Sequence, residues 1–402
     1  MKKIILQNGL TLITEQKDSN SIAVAIAAKV GSSYETENIL GISHFLEHML
    51  FEGTKKRPNA GTISNEIETL GGEFNAFTTN EITVYYIKFL SKHFQIALDI
   101  LADMLQNSTF KQKLIEKERS VILKEINMIT DEPRFHQWIL FYKNLFKSHP
   151  ARNPTYGTVK TVKSISREDL ISYWKKFYTA DNLIVSIVGD ITNIPDIEKQ
   201  VVSKFSVLKK SESKINPIKS PEENINTEKI EKRKILNTYV VLGYKVPHRN
   251  SRESYILDVI KAILARGQSG KIIEKVRIEK GLAYEINLSN DANKSFGVFA
   301  AYFNTPKKNV PKVKAIILDE FKNLTNISDV DLKKAKGFIE GSYLLENEDN
   351  FKTAEKLVYW ENIQDAKLHY EYVDKIKSVS KAEIISVAKK ILDERFTVVR
   401  IE

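Results

Sequence analysis

The stretch GISHFLEHMLFEG, from Gly41 to Gly53, carries two patterns at once. On a helix, Ile42, Phe45, Leu46 and Met49 follow the spacing i, i+3, i+4, i+7 and make one apolar stripe. His44, Glu47 and His48 make a second stripe. The first can anchor the helix to a core. The second then presents two imidazoles one turn apart with a carboxylate beside them, which is the spacing a tetrahedral zinc ion requires of two ligands on one helix. Glu47 sits where it can take a proton from a metal-held water. With seven histidines in 402 residues, a chance His-x-x-Glu-His is expected on the order of once in a hundred such chains.

A third protein ligand must come from elsewhere. KLIEKERSVILKEINMI, from Lys113 to Ile129, reads as a helix whose apolar stripe is Leu114, Ile115, Val121, Ile122, Met128 and Ile129. Glu118 and Glu125, two turns apart, fall in the middle of that stripe. A carboxylate on a buried face is costly unless a cation or hydrogen bonds compensate it. A zinc ion is one such partner; a narrow water-filled cleft is another way to accommodate both.

Outward from the histidine helix, SIAVAIAAKV (Ser21–Val30) reads as a strand. The second half repeats this order, with NTYVVLGYKV (Asn237–Val246) as a strand and Tyr255–Leu264 as a helix. When Val30 is laid on Val246 without gaps, His44, Glu47 and His48 fall on Ile260, Ile263 and Leu264. The halves thus read as a duplicated unit in which only the first copy carries polar chemistry at this place. NAFTTNEITVYYIKFL (Asn75–Leu90) and SFGVFAAYF (Ser295–Phe303) read as strands, and Ile4–Leu6 and Leu10–Ile13 as a pair of strands around an Asn8-Gly9 turn. Helical periodicity covers Phe94–Gln106, Lys111–Ile129, Val313–Leu324 and Asp331–Leu345. Strands in clusters followed by helices indicate an α+β fold. SESKINPIKSPEENIN, from Ser211 to Asn226, has linker composition. The expected division is 1–210, a linker at 211–227, and 228–402.

Hydrophobic residues at 42% and charged residues at 28% exclude a disordered chain. The absence of cysteine removes disulfides, thiolate metal sites and cysteine nucleophiles. The net charge of +10 reads as a lysine-rich solvated surface. No compact basic run is interleaved with aromatics, so nucleic acid is not an expected partner. No apolar run reaches about 18 residues, so no membrane span is expected. Gln7 and Asn8 interrupt the N-terminal apolar run too early for a signal-peptide core. These readings imply a cytoplasmic protein, and the richness in Lys, Ile and Asn fits a bacterial source. His93, His136, His149, His248 and His369 stand in no ligand spacing and read as structural or surface residues.

The order His-x-x-Glu-His reverses the commoner His-Glu-x-x-His and marks the inverted-motif zinc peptidases. Over nearly its whole length the sequence resembles the pitrilysin/insulinase family, most closely the mitochondrial-processing-peptidase type. GISHFLEHMLFEGT (Gly41–Thr54) matches the family's metal motif. The resemblance implies one Zn2+ per chain held by His44, His48 and Glu125, with Glu118 as support behind the ligands and Glu47 as general base. It implies that Asn75 and Ala76, in LGGEFNAFTTNEITVYY (Leu70–Tyr86), contact an extended peptide substrate. In RIEKGLAYEI (Arg277–Ile286), Arg277 would hold the substrate backbone and Tyr284 would help stabilise the oxyanion. ARGQSGKI (Ala265–Ile272) departs from the glycine- and serine-rich turn common before that element. The family fold would be two homologous α+β domains, each a mostly antiparallel sheet with helices on one face. A homodimer is implied, because this one chain carries both the metal motif and the Arg…Tyr element. The alternative within the family is a non-catalytic scaffold subunit. A purely structural zinc site would be closed by four protein ligands, and three are found.

Overall fold

Two sheets organise the chain, and their strands come from corresponding places in its two halves. The structure, a computed structural model, describes residues 1–191, 194–212 and 217–402. The first half runs β1 (Lys2–Ile5), β2 (Thr11–Gln16), β3 (Ser21–Ala28), α1 (Ile42–Phe51), α2 (Ala60–Glu68), β4 (Glu73–Thr78), β5 (Thr83–Leu90), α3 (Phe94–Asn107), α4 (Gln112–Asp131), α5 (Pro133–Leu145), α6 (Val159–Ser164), α7 (Arg167–Phe177), β6 (Leu183–Gly189) and α8 (Ile194–Phe205). The second runs β7 (Thr227–Glu231), β8 (Thr238–Val246), α9 (Arg252–Ala265), α10 (Lys271–Ile273), β9 (Glu285–Ala292), β10 (Gly297–Thr305), α11 (Val310–Asn323), α12 (Asp329–Glu346), α13 (Asn350–Ile363), α14 (Leu368–Lys377), α15 (Lys381–Ile391) and β11 (Thr397–Ile401).

The strand order is β1-β2-β6-β3-β5-β4 in one sheet and β7-β11-β8-β10-β9 in the other. In each sheet a single parallel pair, β2 with β6 or β7 with β11, is followed by antiparallel neighbours. β3 and β8 are corresponding central strands, and each leads to the helix, α1 or α9, that the gapless alignment pairs. Ile260, Ile263 and Leu264 on α9 are fully buried, so the second copy spends on core packing the positions that carry imidazoles and a carboxylate in the first. The expected hairpin at Asn8-Gly9 forms, with Lys2 opposite Thr14 and Ile5 opposite Thr11.

The chain divides into two compact units, but they are not its two halves. The first comprises Met1–Asn127, Asn153–Ile218 and Glu346–His369; the second comprises Met128–Arg152, Lys219–Leu345 and Tyr370–Glu402. The expected linker, 211–227, contains the cut at Ile218, while its residues 213–216 lie outside the described residues. The difference from a division into 1–210 and 228–402 has a physical cause in β3. Ile22, Val24 and Ile26 point to a core shared with Phe45, Leu46 and Leu98. Ala23, Ala25 and Ala27 point to the opposite face, where they meet Ala354, Leu357 and Val358 of α13. The small alanines let this helix lie close, so the first unit recruits it from the other half of the sequence. In the second unit, α5 plays the same part, packing Leu140, Phe141 and Leu145 against Val241, Val298 and Val399. The α+β class with mostly antiparallel sheets therefore holds, and the expectation of helices on one face is extended: a helix from the opposite half covers the other face.

No described helix is long and apolar enough to cross a membrane.

Candidate active site

The histidine helix is fixed at its base and at its start. Ile42, Phe45, Leu46 and Met49 are all at most 1% exposed, so the apolar stripe is fully committed to the core. Gly41 has φ +92°, and a Cβ there would lie 2.5 Å from the Tyr156 carbonyl oxygen. Only glycine tolerates both that conformation and that approach. The first turn lacks a Ser, Thr, Asp or Asn cap. Its free amides are instead taken by Glu35, whose carboxylate accepts from Gly41 N–H at 2.6 Å and Ser43 N–H at 2.9 Å. Burial pushes Glu35 up to about 7 although those amides favour its charged form.

From this base, α1 and α4 bring three side chains together. His44 Nε2 lies 3.7 Å and His48 Nε2 3.8 Å from Oε2 of Glu125. One ligand atom from each residue lies within 4.8 Å of the other two. Tetrahedral zinc with bonds of about 2.0–2.1 Å places its ligand atoms about 3.4 Å apart, close to the 3.7 and 3.8 Å that separate the two imidazoles from Glu125. Two imidazoles and one carboxylate are also a ligand set of open, catalytic zinc sites. The residues therefore fit the ion. Burial, with His48 beside it, pushes His44 down to about 3, so that imidazole is neutral and able to ligate. Burial raises Glu125, with His48 opposing.

Glu118 stands behind the cluster. Its Oε2 lies 3.1 Å from Nδ1 of His48, which leaves Nε2 facing Glu125. This carboxylate–histidine contact fixes the ring and its tautomer. Burial alone would lower His48, but the Glu118 hydrogen bond and the Glu47 and Glu125 charges outweigh it and raise its pKa. Burial would raise Glu118, but His48 and Lys117 outweigh it and hold it below the usual carboxylate value. Lys117 Nζ is 3.2 Å from Glu118 and 2.9 Å from Glu52. By contrast, Nδ1 of His44 is buried and has no hydrogen-bond partner among the described residues.

Glu47 is 9% exposed, and its Oε2 accepts a 2.6 Å hydrogen bond from Thr78 Oγ1. Burial raises its pKa, while Thr78 and His48 oppose and Glu125 adds. Thr78 ends β4, the edge strand that carries Asn75 and Ala76, opposite Tyr86 and Tyr85 of β5. Ala76 N–H donates to Oδ1 of Asn75 at 2.8 Å. As the last strand of its sheet, β4 has one edge that no other strand among the described residues pairs with. Arg277 and Tyr284 lie in the second unit, where the guanidinium stacks 4.8 Å from the centroid of the tyrosine ring and that tyrosine is 81% exposed. Arg277 sits in a π-helical turn, Glu274–Glu279, that continues α10.

Two corrections concern the sequence reading. Val121 and Met128 are 41% and 61% exposed; the buried face of α4 is Ile115, Glu118, Ile122 and Ile126. Thr78 and Glu35 were missed. Thr78 stands three residues beyond Asn75 in the same strand, so its hydroxyl there was the available signal; Glu35 gave none, because it reaches the helix from an irregular segment. Of the remaining histidines, His149 and His369 are both 3% exposed, as structural residues would be.

A two-unit α+β chain with an inverted histidine motif on one helix and a carboxylate from a neighbouring helix defines a zinc metallopeptidase-like protein. Residues 11–159 match the family described as "Insulinase (Peptidase family M16)", and residues 164–337 match "Peptidase M16 inactive domain". A Rickettsia bellii protein named "Uncharacterized zinc protease" is 32% identical over 98% of this chain and 95% of its own length. A Bacillus subtilis protein, "Uncharacterized zinc protease YmxG", is 30% identical over 98% of this chain and 97% of its own. Among solved structures, a protease from Helicobacter pylori superposes with a TM-score of 0.94 at 23% identity, covering 100% of this chain and 99% of that one. The chain belongs to the M16, or pitrilysin/insulinase, peptidase family. The cofactor that goes with the family and with its relatives' names is Zn2+.

Proposed function

We propose that this chain is a zinc endopeptidase that hydrolyses extended peptides, with His44, His48 and Glu125 as the ligands of one Zn2+ per chain and Glu47 as general base. The observation that carries the reading is the convergence of three ligand atoms from two helices within 4.8 Å, next to a buried carboxylate on the same helix as the imidazoles. Bound zinc supplies Lewis acidity, which polarises a carbonyl and lowers the pKa of a coordinated water towards about 7.

The protein groups do the rest. Glu47 keeps Oε2 on the Thr78 hydroxyl and has Oε1 available to accept the proton of the attacking water. It then returns that proton to the departing amine. Its raised pKa brings it closer to neutrality, which favours both transfers. Glu118 holds the His48 ring so that Nε2 keeps its direction. The substrate backbone adds to the free edge of β4 near Asn75 and Ala76, gaining main-chain hydrogen bonds with little demand on sequence. Arg277 binds the substrate backbone and Tyr284 donates to the oxyanion. We assign the working form as a homodimer, in which the second unit of one protomer completes the site of its partner, and its location as the bacterial cytoplasm.

Glu47→Gln removes the base and leaves the ligands. The expected result is loss of peptide hydrolysis with zinc still bound, read by metal analysis of the purified variant. Full activity in that variant would refute the base assignment, and chelator-insensitive hydrolysis by the wild type would refute the metal. A scaffold subunit would bind peptides without cleaving them.

A further inference from the structure

The geometry points to a binding site for an amphipathic organic anion in the second unit, in a slot between α11, α15 and the β7–β11 end of the sheet. The slot encloses about 800 Å³, within the range of small-molecule sites. Its deep wall is apolar: Phe321, Leu392 and Val398 line it although each is at most 7% exposed. It is therefore a recess, partly open to solvent, with an apolar floor.

The rim selects the charge of the ligand. Lys314, Lys322 and Lys389 border the slot, and none has a carboxylate partner among the described residues. Lys314 Nζ instead lies 5.0 Å from the centroid of Phe396. Two of the acids on the rim are already neutralised, Glu228 by Arg400 at 2.8 Å and Asp393 by Arg395 at 2.7 Å. Glu394 is the remaining carboxylate there. Three unpaired ammonium groups against one carboxylate favour an anionic head group above an apolar tail.

The duplication supports both halves of this argument. The gapless alignment that pairs Val30 with Val246 lays α11 on α3 end to end, with Lys314, Leu318, Phe321 and Lys322 on Leu98, Ala102, Leu105 and Gln106. In the first unit that flank carries α8. Ile197, Val201 and Phe205 share a core with Leu98, Ala102 and Leu105, and Gln106 Nε2 donates to the Lys204 carbonyl at 3.1 Å. In the second unit the same flank borders the open slot, and lysines replace the leucine and the glutamine. The flank has kept an apolar surface suited to being covered and has gained positive charge at its margin. This inference is independent of the peptidase reading.

Dodecanoate, 1-dodecanol and dodecyltrimethylammonium share one tail and differ in head-group charge. Each is titrated calorimetrically into the purified protein as a monomer, below the micelle concentration of the two ionic probes and within the solubility of the alcohol. Dodecanoate should bind one per chain, at least about tenfold more tightly than the other two. The triple variant Lys314→Glu, Lys322→Glu, Lys389→Glu reverses the charge of the rim and should weaken dodecanoate at least about tenfold, with the fold kept by circular dichroism. Leu318→Trp, which fills the slot, should weaken it too; if that variant does not fold, the charge variant decides. Three results overturn the proposal: no saturable binding of dodecanoate up to about 1 mM, equal affinity for the three head groups, or an unchanged constant in the triple variant.

Discussion

At the scale of single residues, the site depends on two hydrogen bonds that steer chemistry made by others. Thr78 donates to Glu47 at 2.6 Å, and a hydrogen bond to a charged group is worth about 1.5–3 kcal/mol. Thr78→Val keeps the shape and removes the donor. It should lower kcat by about 10- to 100-fold with KM and zinc content little changed, while Thr78→Ser should restore most of the rate. A valine variant with wild-type kcat would show that Glu47 is held by its own helix alone. Glu118→Gln weakens the hold on the His48 ring and should reduce zinc affinity by about 10- to 100-fold, measured by competition with a chelator. His44, Glu47 and His48 were legible in the sequence because all three ride one helix, where spacing alone dictates a shared face. Glu118 and Glu125 were legible as anomalies, two carboxylates in an apolar stripe, but spacing could not say which would stand opposite the two Nε2 atoms. Thr78 and Glu35 act across space from other elements, and no periodicity reports such a meeting.

At the scale of elements, the histidine helix is only as well placed as its first turn. Glu35 takes the amides of Gly41 and Ser43, and burial raises its pKa from the ordinary 4.5 to about 7. An acid raised in the folded state contributes stability below its unfolded value, and that contribution is lost as pH rises from about 4.5 through about 7. Glu35→Gln cannot ionise. Between about pH 5 and 8 the wild type should therefore lose up to about 3 kcal/mol relative to this variant, measured by urea unfolding across the range. Parallel stability curves would contradict the buried-carboxylate account. A second element-level feature is the alanine face of β3 under α13. Leu357 is fully buried there, and Leu357→Ala should cost about 2–5 kcal/mol. That helix was not read from the sequence: its buried positions include Asn350, Thr353 and Asn362, and periodicity in any case gives the side a helix buries and not the sheet it meets. The α4 stripe failed for a related reason: Val121 and Met128 are apolar in type but exposed, since Ile115, Ile122 and Ile126 with Glu118 fill the buried face.

At the scale of the whole molecule, one repeated strand pattern serves two ends. Both units repeat the strand order around one parallel pair, yet only the first keeps polar side chains on the helix after its central strand. The second spends those positions on packing and carries instead the stacked Arg277 and Tyr284. The duplication was legible from a single gapless alignment because each central strand is followed by its helix, α1 after β3 and α9 after β8. The exchange of α5 and α13 between units was not, because it leaves no mark in local sequence. If base and oxyanion donor act on one peptide, a homodimer can supply them from different protomers, and complementation tests this. Glu47→Gln and the double variant Arg277→Ala, Tyr284→Phe should each be inactive alone. After subunit exchange of equal amounts, half of the dimers are mixed, and each mixed dimer has one site with an intact base and an intact Arg…Tyr pair. The mixture should recover about a quarter of wild-type activity if sites are completed across the dimer. No recovery, with exchange proven by differently tagged subunits, would mean that each chain completes its own site.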